Sequence, residues 1–133
     1  MVGERVHAIL RKLMEVRPMP LLALQTSALL SNQQRHDLLA PLSKIVAECI
    51  GKPERYVMVT VGEAAMLMGG AEDSAAYADI RSIGGLNREV NRKLSERICT
   101  LLQEQLAIPP DRVYLGFTSV SAENWGWNGG TFG

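Results

Sequence analysis

Apolar and polar positions alternate with two different periods along this chain, and the switches between them mark its elements. Pro20 to Ser27 is short, largely apolar and flanked by polar residues, the pattern of a buried strand. From Leu38 the period lengthens. Leu38, Leu39, Leu42, Ile45, Val46, Cys49 and Ile50 share one helical face, opened by a Ser31/Gln34 capping box and closed by Gly51. Pro41 interrupts this run, so the helix either kinks there or becomes regular only near Leu38. Tyr56 to Val61 is β-branched and aromatic enough for a second strand.

The same order returns in the second half. Ala75 to Ile83 fits a strand, Gly84-Gly85 a turn, and Asn87 an N-cap. Val90, Leu94, Ile98, Leu101, Leu102 and Leu106 line one face of a long helix, and Val113 to Phe117 closes the pattern as a strand. Pro53-Glu54-Arg55-Tyr56-Val57 echoes Pro110-Asp111-Arg112-Val113-Tyr114, a proline–acid–arginine turn ahead of a strand in each half. Two strand–helix–strand copies predict an α/β (α+β) fold: two right-handed βαβ units in a four-stranded mixed sheet with both helices on one face. The strands look apolar on both sides, so an oligomer burying the second face is expected.

Composition changes little in this picture. The 133 residues form one domain's worth of chain, with 47% hydrophobic residues, 21% charged residues and zero net charge, against a general nucleic-acid binder. No apolar run is long enough to span a membrane. Cys49 and Cys99 lack CxxC or zinc-ligand spacing and read as structural thiols in a reducing, cytoplasmic setting. His7 and His36 do not suggest a metal site.

Ahead of the first strand, residues 1–18 have the spacing of a weakly basic amphipathic helix: Val6, Ile9, Leu10, Leu13 and Val16 fall on one face. An upstream start-codon artefact, a genuine helical extension and a targeting segment all fit residues 1–19, with 20–133 as the domain proper. Met19-Pro20 gives the boundary chemical weight. Were Met19 the start, removal of the methionine would leave a proline with a free secondary amine. An α-amino group ordinarily titrates at about 7.7–8.0, so such an amine is a candidate base. Within an intact chain the same nitrogen is a tertiary amide without basicity.

Several pieces, in order, then match a known pattern: Met19-Pro20, Gly51-Lys52-Pro53 with Tyr56, Met66 to Gly70 (MLMGG), Ser82-Ile83-Gly84, Asn91 and Asp111-Arg112-Val113-Tyr114. The tail Asn124-Trp125-Gly126-Trp127-Asn128-Gly129-Gly130-Thr131-Phe132 completes them. Over residues 20–133 the chain resembles the macrophage migration inhibitory factor family of the tautomerase superfamily, its plant and microbial members more than its vertebrate ones. The resemblance implies a β-α-β-β-α-β subunit in a homotrimer, with an active site at each subunit boundary that tautomerises phenylpyruvate-like α-keto acids without a cofactor or metal.

The roles it implies fall on six residues. Pro20 is the base, Lys52 binds the substrate carboxylate, Ile83 donates through its backbone, Tyr114 enters from the neighbouring subunit, and Trp127 and Phe132 wall an aromatic substrate. Each has a plainer reading: a strand-edge proline, a helix-end cation, a core isoleucine, a strand aromatic and apolar plugs at a subunit seam. Vertebrate members often carry asparagine where Gly116 stands, which removes one polar contact. The CxxC of some animal members falls on Ala75 to Ala78, which excludes thiol oxidoreduction. The rival function is a non-catalytic trimeric binding protein, cytokine-like or a scaffold, since Pro20 is not N-terminal in the chain as written.

Overall fold

The first ordering force is the hairpin-free pairing of four strands. The computed structural model describes Gly3 and residues 19–133, so the helix expected over residues 1–18 lies, Gly3 apart, outside the described residues. Strands β1 (Leu21–Thr26), β2 (Met58–Glu63), β3 (Ala76–Ser82) and β4 (Val113–Ser119) form one sheet in the order β2-β1-β3-β4. β1 runs parallel to β2 and β3 parallel to β4, while β1 and β3 pair antiparallel at the centre, Leu22 opposite Ile80 and Leu24 opposite Ala78. Helices α1 (Asn32–Ile50) and α2 (Arg88–Leu106) make the two crossovers, which gives the βαβ pair predicted from the repeat.

Both helices cover one face of this sheet. Leu22, Leu24, Ala78 and Ile80 from the central strands meet Leu38, Leu42 and Val46 of α1 and Leu94, Ile98 and Leu102 of α2 in one buried cluster. Each such side chain contributes about 1.5–3 kcal/mol by leaving water, so this layer holds the fold together.

Local signals set the helix ends. The Ser31 hydroxyl accepts from the Gln34 backbone N–H while the Gln34 side chain accepts from the Ser31 N–H, a complete capping box. The helix then runs unbroken through Pro41 to Gly51, whose φ of 77° turns the chain left-handed. Asn87 caps α2 through the Val90 N–H. The far end of α2 is closed without glycine: Ala107 takes φ 55°, and the Ile108 N–H returns to the Leu102 carbonyl as its side chain enters the core. That buried anchor holds an alanine in a conformation it otherwise avoids.

Three expectations need correction. The second strand starts at Met58, two residues later than Tyr56, because Glu54–Tyr56 forms a tight 3-10 turn. The repeat is also out of step with the backbone: Arg55 is the second residue of its turn, whereas Arg112 is the last residue of Pro110–Arg112. Finally, the second face of the sheet is not uniformly apolar. Leu21, Ala23, Met58 and Tyr77 share it with Gln25, Thr60 and an Asp79–Arg81 ion pair.

Candidate active site

Pro20 sits where three pieces of chain converge. Its carbonyl accepts the Met58 N–H at 3.0 Å, which ties the start of β1 to the start of β2. Continued one step past the ladder, the β1–β3 register brings Pro20 level with Ser82 and Met19 level with Ile83; Met19 and Ile83 are both buried. A cavity of about 280 Å³ opens at this end of the sheet. Met19, Pro20, Leu21 and Met58 from the strand starts line it together with Trp125 and Trp127 of the tail and Arg55 and Tyr56 of the 3-10 turn.

The tryptophan wall is built by the tail. Gly126–Trp127 pairs antiparallel with Gly130–Thr131 around Asn128 and Gly129, both at positive φ (52° and 80°). Asn-Gly is the preferred dipeptide for such a tight turn, a signal the sequence carries in plain view. The turn stacks Trp127 on Phe132, with ring centroids 6.0 Å apart and planes 11° from parallel. Trp127 remains about half exposed, so its open surface is available to a flat ligand.

The lining also contains a cation on an aromatic ring. The Arg55 guanidinium lies 4.8 Å from the centroid of the Tyr56 ring, and its Nη2 donates to the Tyr56 hydroxyl at 3.0 Å. Neither residue stood among the six candidates. Tyr56 belongs to the motif set, but the 3-10 turn that brings both residues to the cavity lined by Pro20 is not legible from spacing.

Of the six, Pro20 and Trp127 line the cavity, and Phe132 supports it through Trp127. Lys52 follows the α1 cap on the connection that delivers Arg55 and Tyr56, yet it is not part of the cavity wall. Ile83 is buried at the same end of the sheet. Tyr114 is elsewhere: it pairs with Tyr77, five positions along β3 from Ser82, which is about 17 Å at the rise of a strand. It is 67% exposed, so within one chain it does not meet Pro20.

Two other hollows compare poorly. One, of about 360 Å³, lies along α2 beside Ile45 of α1, and its lining includes Glu96, Arg97 and Glu104 but no aromatic residue. Another, of about 300 Å³, lies on the uncovered sheet face beside Tyr77 and Asp79. There the Tyr77 hydroxyl stands 2.9 Å from where a Cβ on Gly116 would be. Gly116 thus leaves room for Tyr77, besides lacking a polar side chain of its own.

Two βαβ units joined antiparallel, with a proline heading the first strand beside an aromatic-walled cavity, define a tautomerase-superfamily subunit. The family model for macrophage migration inhibitory factor (MIF) matches residues 19–133, and the chain belongs to that family. It is 41% identical over 92 residues to the macrophage migration inhibitory factor homolog of Brugia malayi, covering 68% of this chain and 80% of that protein. It is 39% identical over 95 residues to the Rattus norvegicus factor, covering 71% and 83%. Among solved structures, the Prochlorococcus marinus homologue superposes with a TM-score of 0.81 at 38% identity, covering 85% of this chain and 99% of that one. The Entamoeba histolytica protein gives 0.82 at 33% identity, with 85% and 98% covered.

Proposed function

We propose that this protein is a cofactor-independent keto–enol tautomerase of phenylpyruvate-like α-keto acids, with the amine of Pro20 as general base once Pro20 is N-terminal. The observation that carries this reading is the placement of Pro20 in a cavity walled by Trp125, Trp127 and Tyr56, which suits the ring of an arylpyruvate. An unprotonated secondary amine there takes the proton from the carbon between ring and carbonyl, and the resulting ammonium returns it to the carbonyl oxygen as the enol forms. In this reading Lys52 adds positive potential toward the substrate carboxylate, and Ile83 donates to the substrate through its backbone.

Tyr114 completes the site from a second copy in a homotrimer. Its exposure and its distance from Pro20 along the sheet support this, since only another chain can bring it to the cavity. The uncovered sheet face, with Leu21, Met58 and Tyr77, is the surface such an assembly buries.

The test is Pro20→Gly in a chain beginning at residue 20, assayed for phenylpyruvate enol–keto interconversion. We expect a loss of about 10²–10⁴-fold, the usual contribution of a positioned base. Unchanged turnover removes Pro20 from the mechanism.

A second reading has its own observation. In the 133-residue chain Pro20 is bonded to Met19, and both residues are buried. A chain retaining residues 1–19 in its native source acts as a non-catalytic trimeric binding protein, cytokine-like or a scaffold. Mass analysis of the native N-terminus separates the two: a mature chain starting at Pro20 favours catalysis, one starting at Met1 favours binding.

A further inference from the structure

Among the described residues, the cavity beside Pro20 holds one cation and no carboxylate. Of its lining residues only Arg55 is charged, and the others are apolar or aromatic apart from the Tyr56 hydroxyl and backbone. A guanidinium lining an aromatic-walled hollow, with no carboxylate among the described lining residues, suits an anionic ligand. Its planar fork of five N–H donors matches a carboxylate in a bidentate pair.

Three further observations fit that use. The ion pairs among the described residues join Arg35 to Glu63, Arg81 to Asp79, Lys93 to Glu89 and Arg97 to Glu48, and Arg55 is not among them. Tyr56 fixes one edge of the guanidinium through its ring and hydroxyl, so the group is positioned before a ligand arrives, and among the described residues its other donors make no hydrogen bond. The arginine of the second half makes the contrast. Arg112 spends its donors on the carbonyls of Met68, Ala71, Asp73 and Ser74, whereas Arg55 bonds to no main-chain carbonyl among the described residues.

We propose that Arg55 is the direct carboxylate-binding residue of the Pro20 cavity. It takes the carboxylate of an arylalkyl acid whose ring lies against Trp127, while Lys52 contributes through its longer-range field. The assignment deepens the tautomerase reading, on which it rests for the reaction but not for binding.

Binding is therefore the readout. In the full 133-residue chain, tryptophan fluorescence follows titration with 3-phenylpropionate and with its neutral amide, 3-phenylpropionamide. The parent is expected to prefer the carboxylate. Arg55→Gln is expected to weaken carboxylate binding about tenfold or more, as loss of a charged hydrogen-bonded pair does, and to leave the amide unchanged. Lys52→Gln is expected to change carboxylate binding by less than about threefold, and Arg55→Lys to recover only part of the loss, because an ammonium is a point charge. Arg55 is exposed, so an unchanged thermal midpoint will show that its variants fold.

The proposal is overturned if Lys52→Gln takes the loss while Arg55→Gln binds the carboxylate within twofold of the parent. It is equally overturned if the parent binds neither probe or does not prefer the carboxylate. Failure of the tautomerase reading shows instead as turnover that survives Pro20→Gly, which a binding titration does not register.

Discussion

The two βαβ halves carry the same short phrase and use it for different ends. In the first half, Pro53 caps the 3-10 turn Glu54–Tyr56, whose second residue is the arginine, placed over the Tyr56 ring and lining the cavity. In the second, Pro110-Asp111-Arg112 forms a turn whose arginine is its last residue, immediately before β4. One step around a turn of three residues rotates a side chain by about 120°. That rotation gives Arg112 a loop to hold: its guanidinium donates to Met68 at 2.7 Å, Asp73 at 2.6 Å, Ala71 at 3.1 Å and Ser74 at 3.4 Å. A sequence repeat thus does not guarantee a functional repeat. The position of a residue within its turn decides whether a cation faces main-chain carbonyls or an open cavity.

The sharpest way to break this comparison is to exchange the consequences. Arg112→Ala should destabilise the fold by about 2–3 kcal/mol in urea unfolding, because it orphans several part-buried carbonyls at once. Arg55→Ala should stay within about 0.5 kcal/mol of the parent. Equal losses would mean that both arginines are structural.

A smaller effect separates the two helix starts. Ser31→Ala removes a reciprocal box and Asn87→Ala a single bond, and each should cost about 1 kcal/mol. Gln34→Ala should add a further loss only in the first half, where its side chain holds the Ser31 N–H.

Smaller again is Gly116→Asn. Its Cβ meets the far end of Tyr77, which can swing aside, so stability should fall by less than about 1 kcal/mol. Tyr77 fluorescence or a crystal structure of the variant should register the displaced ring.

The smallest effect is electrostatic. Burial raises the Cys99 thiol above its ordinary value, so the folded chain holds that proton more tightly than the unfolded one. The associated stability is complete below the unfolded thiol's titration, near about 8.5, and falls as pH rises through the folded value. Cys99→Ala should flatten the alkaline limb of a stability–pH profile.

Much of this was legible because local chemistry agrees with the tertiary fold. Leu22 and Leu24 alternate as a half-covered strand must, Ser31 with Gln34 fixes one helix start, and Gly51 ends that helix with the backbone only glycine adopts readily. The failures have specific causes. Tyr56 has strand propensity, yet the Pro53 turn captures it and delays β2 to Met58. Ala107 turns left-handed only because Ile108 is pulled into the core. The uncovered sheet face departs from the apolar expectation because Asp79 and Arg81 alternate with buried Ala78 and Ile80, a contrast that the overall apolarity of the strand hides. Pro20, Trp127 and Phe132 were placed by motif, but Arg55 was hidden by its likeness to Arg112. Nothing in a linear spacing says which of two similar turns faces a cavity.

The central claim is that a free Pro20 amine does the chemistry. The most direct measurement compares phenylpyruvate enol–keto interconversion by the 133-residue chain and by the chain beginning at Pro20, at equal concentration and pH. The expected result is a turnover at least about 10²-fold higher when Pro20 is N-terminal, since only then does the nitrogen carry a basic lone pair. Equal turnover by the two chains, with residues 1–19 verified intact by mass, would contradict it.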